Sequence, residues 1–92
     1  MARHGKAHWG ALARNMLRGQ LASRGMTYSD LRERLAEIGV QETEGAIKSK
    51  LSRGSFTAVF FLQCMLALDV DWLQMPKKAD MMDAPPDKVA RS

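Results

Sequence analysis

Apolar residues recur along the first third of the chain at Trp9, Leu12, Ala13, Met16, Leu17 and Leu21, which is one stripe of an α-helix. Arg14, Asn15 and Arg18 fall off that stripe, and Gly25 is placed to end the helix in a left-handed cap. A second helix is predicted over 27–38. Thr27 is its N-cap, Asp30 completes a Thr-x-x-Asp variant of the capping box, and Leu31, Leu35 and Ile38 form the buried face. Gly39 stops it and Val40 turns inward. A third helix follows over 44–53, with Thr43 as N-cap, Ile47 and Leu51 as apolar anchors, and Gly54 as terminator. Its remaining faces carry Gly45, Ala46, Ser49, Ser52 and Arg53, flanked by Lys48 and Lys50, so they are small and basic.

The fourth helix, 57–68, reverses this pattern: ten of its 12 residues are apolar, Thr57 and Gln63 being the exceptions. A helix apolar all round must be covered all round, by the domain or by a subunit interface. Residues 69–73 then read as a turn into a short fifth helix. The expectation is therefore an all-α domain of five helices over 9–75. A basic arm over 1–8 precedes it, and a tail over 76–92, which holds all three prolines, follows.

Ninety-two residues allow one domain with a modest core. No apolar run is long enough to span a membrane, and the N-terminus lacks the apolar centre of a secretory signal. One cysteine, Cys64, makes no internal disulfide and fits a reducing cytoplasm. The net charge of +4 is unevenly spread: Asp30 is the first acidic residue, and Arg3, Lys6, Arg14, Arg18 and Arg24 precede it. A one-signed field attracts polyanions, although a solubilising face is the plainer reading.

Catalytic chemistry finds little support. There is no Ser-His-Asp set and no Gly-rich phosphate loop, so the chain reads as a non-enzyme without cofactor. His4 and His8 have helical metal-ligand spacing but no Cys, Asp or Glu nearby to complete a site, and no metal is expected. Cys64 reads as a small buried hydrophobe.

Five short helices, with 27–38 and 43–53 joined by a Gly-centred turn, resemble the phage lambda-repressor and Cro type of helix-turn-helix domain. The segment GMTYSDL at 25–31 is similar to that superfamily's G-[LM]-T-Q-x-x-L, with Tyr28 in place of Gln. The segment LSRG at 51–54 is similar to I-x-R-G, and LALDVDWL at 66–73 to A-L-G-V-x-x-x-L, with Asp69 where Gly is usual. From Gly39 to Ile47 the chain is about two residues longer than the usual spacing, and Glu42 and Glu44 sit near the tip of the third helix. A closer resemblance is to an uncharacterised bacterial family sharing the core K-[LI]-S-R-G-x-F-[ST]-A-x-F-x-L-Q-C, present here from Lys50 to Cys64.

The helix-turn-helix resemblance implies double-stranded DNA as partner, with the third helix in the major groove. Gly45, Ala46, Ser49 and Ser52 permit the close approach that base reading requires. Gln41, Thr43 and Ser49 are expected at base edges, and Lys50 matches a superfamily base-contact position. Lys48 flanks the same DNA-binding face, and Arg53 and Ser55 are expected at the phosphates. Tyr28 and Ser29 join them, because a helix N-terminus favours anions. Arg14 and Arg18 add contacts from the first helix, and Arg3 and Lys6 reach a minor groove. One small domain makes few contacts, so a homodimer is expected, paired through Phe61, Met65, Leu68 and Trp72. The competing reading is a protein-interaction module, an adaptor or antitoxin, on the same scaffold. Small-residue faces also serve helix packing, and isolated Lys and Arg side chains are commonly a solvated surface.

Overall fold

A computed structural model describes residues 6–77. It contains α1 (Lys6–Ser23), α2 (Tyr28–Glu37), α3 (Glu44–Arg53) and α4 (Ala58–Ala67). The helix ends follow local chemistry. The Thr27 hydroxyl accepts from the Asp30 N–H at 3.1 Å, and the Asp30 carboxylate accepts from the Thr27 N–H at 2.9 Å, a reciprocal capping box. The Thr43 and Thr57 hydroxyls each accept from the backbone N–H three residues on, at 3.0 Å, and start α3 and α4. Gly54 closes α3 in the left-handed region, at φ 67°.

The core joins all four helices: Leu17 and Leu21 from α1, Leu31 and Leu35 from α2, Ile47 and Leu51 from α3, and Phe60, Cys64, Met65, Ala67 and Leu68 from α4 and its C-cap. Leu17 and Leu21 of the first expected stripe, Leu31 and Leu35 of the second and both anchors of the third are the residues buried. Leu12, Ala13 and Met16 of the first stripe are only partly buried, and Trp9 and Ile38 are 45% and 40% exposed. Val40 packs against the core as expected.

The expected fifth helix is absent: the described residues hold four, and 69–77 is non-helical. The N–H of Val70 donates to the Met65 carbonyl at 2.9 Å and that of Asp69 to the Leu66 carbonyl at 3.0 Å, closing α4 in a Schellman-type turn. Asp69 takes the left-handed conformation there, at φ 60°, the position where the superfamily motif carries Gly. Pro76 follows soon after and disfavours helical backbone at the residue before it. The intervening stretch is too short to repay helix nucleation. It docks instead through Val70 and Leu73, which pack on the core.

Arg24 and Arg34 tie the same corner. Arg24 Nε donates to the Leu68 carbonyl at 3.0 Å, and an Arg34 Nη donates to the Ala67 carbonyl at 3.0 Å. Two guanidinium groups thus meet the negative end of the α4 dipole, on carbonyls that the helix itself leaves without donors. On another side, α1, the start of α4 and the 69–77 segment enclose an apolar groove of about 390 Å³, lined by Trp9, Leu12, Met16, Phe56, Phe61 and Leu73 among others. The expected arm and tail fall mostly outside the described residues, at 1–5 and 78–92; the helix itself already runs from Lys6. Among the described residues, no helix is long and apolar enough to cross a membrane.

Candidate nucleic-acid interface

With Ile47 and Leu51 fully buried, α3 is held in one rotation about its axis. Its outward arc consists of Glu44, Gly45, Lys48, Ser49, Ser52 and Arg53, all exposed. Along the middle of that arc the surface is low. A Cβ placed on Gly45 would meet nothing within 4 Å, so the small residue there is not used for packing inside the domain. Gln41 and Ser55, on either side of the helix, are also exposed. Thr43 is exposed, but its oxygen already accepts the capping hydrogen bond from Ala46.

Two arginines of α1, one turn apart, reach the neighbouring helices, Arg14 at this surface and Arg18 at the start of α2. Arg14 Nη1 donates to the Ser52 carbonyl at 3.4 Å, and Arg18 Nε donates to the Tyr28 hydroxyl at 3.1 Å. The first contact lies in the last turn of α3 and the second at the first residue of α2. Arg14 Nε is buried with no hydrogen-bond partner among the described residues, so its guanidinium retains unused donor capacity. Ser29, half-buried, shares the first turn of α2 with Asp30, whose carboxylate occupies the capping box. Arg14 is thus joined to α3 and Arg18 to the start of α2, and the expected residues of α3 share its outward arc, with one exception.

That exception is Lys50. Its ammonium lies 2.7 Å from Glu42 Oε2 and 4.6 Å from the centre of the Phe60 ring, on the inner side of α3. The Lys50 side chain is only 31% exposed and that of Glu42 only 16%. At about 100° per residue, Lys50 sits on the arc next to Ile47 and away from Lys48 and Ser52. The expected base reader is thus already paired inside the chain. The same contact neutralises Glu42, one of the two acidic residues near the tip of α3, and leaves Glu44 exposed.

The expected pairing surface needs a larger correction. Met65 and Leu68 are 5% and 1% exposed and belong to the domain's own core, because α4 packs this side against α1 and α2. Phe61 is half-buried and stacks on Phe56, with ring centres 6.2 Å apart. Only Trp72 of the four is well exposed. The outward apolar residues of α4 are instead Val59, Leu62 and Leu66, at 63%, 65% and 65% exposure. Sequence reading missed them because a helix apolar on every side carries no polar stripe to show which side faces out.

Cys64 is fully buried behind Lys50 and Glu42. Burial, with a smaller contribution from the Glu42 carboxylate and against that of Lys50, pushes its thiol up to about 12. It behaves as a packing residue. Among the described residues no group of His, Cys, Asp and Glu could hold a metal ion.

No curated protein and no solved structure matches the chain. A family model does, over residues 9–73, the stretch that runs from the start of the α1 stripe through the docked segment after α4. On that match the chain belongs to the family described as Domain of unknown function (DUF6471).

Proposed function

We propose that the chain is a DNA-binding transcriptional regulator of the lambda-repressor and Cro helix-turn-helix type, acting as a homodimer. In this reading α2 and α3 are the helix pair, and α3 lies in the major groove. The observation that carries it is the way two arginines of α1 join that helix to both helices of the pair. Arg14 reaches the Ser52 carbonyl, which sets a cation beside the low, Ser-rich face of α3, and Arg18, one turn along α1, meets Tyr28 at the start of α2. Arg53 and Lys48 add positive charge along the same helix. Phosphate contacts then fall to Arg14, Arg18, Arg53, Lys48, Tyr28, Ser29 and Ser55. Base contacts fall to Gln41, Ser49 and Ser52, in the low central strip that a groove about 12 Å wide would admit.

A protein-interaction module is the second reading. Exposed Glu44 at the tip of α3 opposes phosphate, and Val59, Leu62 and Leu66 leave an apolar face open. Fluorescence anisotropy with genomic DNA fragments across a salt series separates the two. DNA binding predicts that log affinity falls linearly with log salt, by about 0.9 per phosphate neutralised. Absence of binding at low salt would remove the DNA reading and leave the interaction module.

A further inference from the structure

We infer that the outward face of α4 is where two copies of this chain pair, antiparallel, with Leu62 on the two-fold axis. The inference rests on the homodimer reading above and deepens it by naming the surface. Ala58, Val59, Leu62 and Leu66 are exposed and lie on a single arc of α4. Monomeric proteins rarely leave a contiguous apolar patch of more than a few hundred Å² uncovered.

Three features select a second copy as the occupant. First, residues 55–68 contain no charged side chain, although the chain carries a net charge of +4. Two copies can therefore meet here without opposing like charges. Second, the spacing is self-complementary. Val59 lies three residues before Leu62, and Leu66 four residues after it. Two antiparallel helices crossing at Leu62 set Val59 of each copy against Leu66 of the other, which is what a two-fold interface demands. Third, a helix resting on a membrane surface carries Lys and Arg beside its apolar face, and 55–68 has none. The helix is ten residues long, so this face supplies the centre of an interface and not the whole. A standard interface covers about 800 Å² per partner, more than one face of a short helix supplies, so pairing that depends on concentration is expected.

Sedimentation equilibrium of the full chain without DNA tests the pairing. The expected mass rises with concentration from 10.3 kDa to twice that value. Leu62→Glu, at a position exposed in the single chain, should keep the helical circular dichroism and the cooperative melt of the parent yet remain a monomer throughout. A parent chain that stays monomeric at all concentrations would overturn the pairing and leave the face to a different protein. So would a folded Leu62→Glu variant that dimerises like the parent. Cross-linking fixes the geometry. In a Cys64→Ser background, Leu62→Cys should form a disulfide-linked dimer under mild oxidation, and Val59→Cys should cross-link to Leu66→Cys more than to itself. Cross-linking of Val59→Cys to itself in preference would overturn the antiparallel arrangement. Because DNA is absent, these outcomes are separate from those of the anisotropy experiment: a dimer that binds no DNA leaves the pairing standing, a monomer that binds DNA removes the pairing and the homodimer but leaves the DNA reading, and a Leu62→Glu variant that still dimerises removes this surface alone.

Discussion

Gly10 in α1 and Gly54 at the end of α3 pack backbone against backbone. A Cβ on Gly10 would stand 2.5 Å from the Gly54 carbonyl oxygen, and one on Gly54 would stand 2.8 Å from that of Gly10. In an isolated helix Gly10→Ala would be favourable by about 1 kcal/mol. Here the added methyl meets backbone that cannot step aside, and overpacking of about 1–3 kcal/mol is expected to dominate. Gly54→Ala should cost more, since its left-handed φ of 67° adds a penalty of its own. Gly45→Ala, in open space, should be neutral or stabilising. Urea unfolding of the three variants gives the order; equal stability of Gly10→Ala and Gly45→Ala would show that α1 can move away from α3.

Lys50→Ala should act mainly on folding. It strips the half-buried Glu42 of its 2.7 Å partner, a loss of about 1–3 kcal/mol, and the double variant with Glu42→Ala should recover part of it. If the chain binds DNA, the substitution should weaken all sequences alike, because the ammonium is engaged on the inner side of α3. A loss confined to one base position would mean that Lys50 leaves Glu42 when DNA is bound.

Arg14→Ala and Arg18→Ala should each weaken DNA binding without changing sequence preference, and each should lower the salt slope by about 0.9. Tyr28→Phe removes the hydroxyl that accepts from Arg18 and should give a smaller effect in the same direction. Anisotropy at several salt concentrations measures both quantities. An unchanged slope in both arginine variants would place the phosphate contacts elsewhere.

Cys64 should be slow to react with thiol reagents near pH 8 and should react at the rate at which the domain opens, since its thiol is buried and raised to about 12. The same shift links to stability. Unfolded chain ionises near 9 and folded chain near 12, so Cys64 supports folding fully below about pH 9 and less as pH climbs towards 12. Cys64→Ala should flatten that part of the stability profile, as read by urea unfolding between pH 8 and pH 11. Fast labelling of folded protein would contradict the buried placement.

Much of this architecture follows from local sequence. Thr27, Thr43, Thr57 and Gly54 mark helix ends by the hydrogen bonds and backbone angles their types favour, and the stripes of Leu17 and Leu21, Leu31 and Leu35, and Ile47 and Leu51 mark inward faces by period alone. Membership of an uncharacterised family was also readable, since it is a matter of residue identity.

What sequence could not settle depended on how helices meet. A helix apolar on every side, as 57–68 is, has no preferred rotation until its neighbours supply one; packing on α1 and α2 turned Phe60, Cys64 and Met65 inward and left Val59, Leu62 and Leu66 outside. Helical phase sets Lys50 beside Ile47, but the approach of Glu42 and Phe60 to its ammonium depended on how the longer turn and α4 pack against α3. The fifth helix failed for a related reason: the left-handed turn at Asp69 sends the chain back to the core, where burying Val70 and Leu73 wins over a short helix ahead of Pro76. Local propensity determined where helices begin and end; tertiary contact decided which of their faces remain available to a partner.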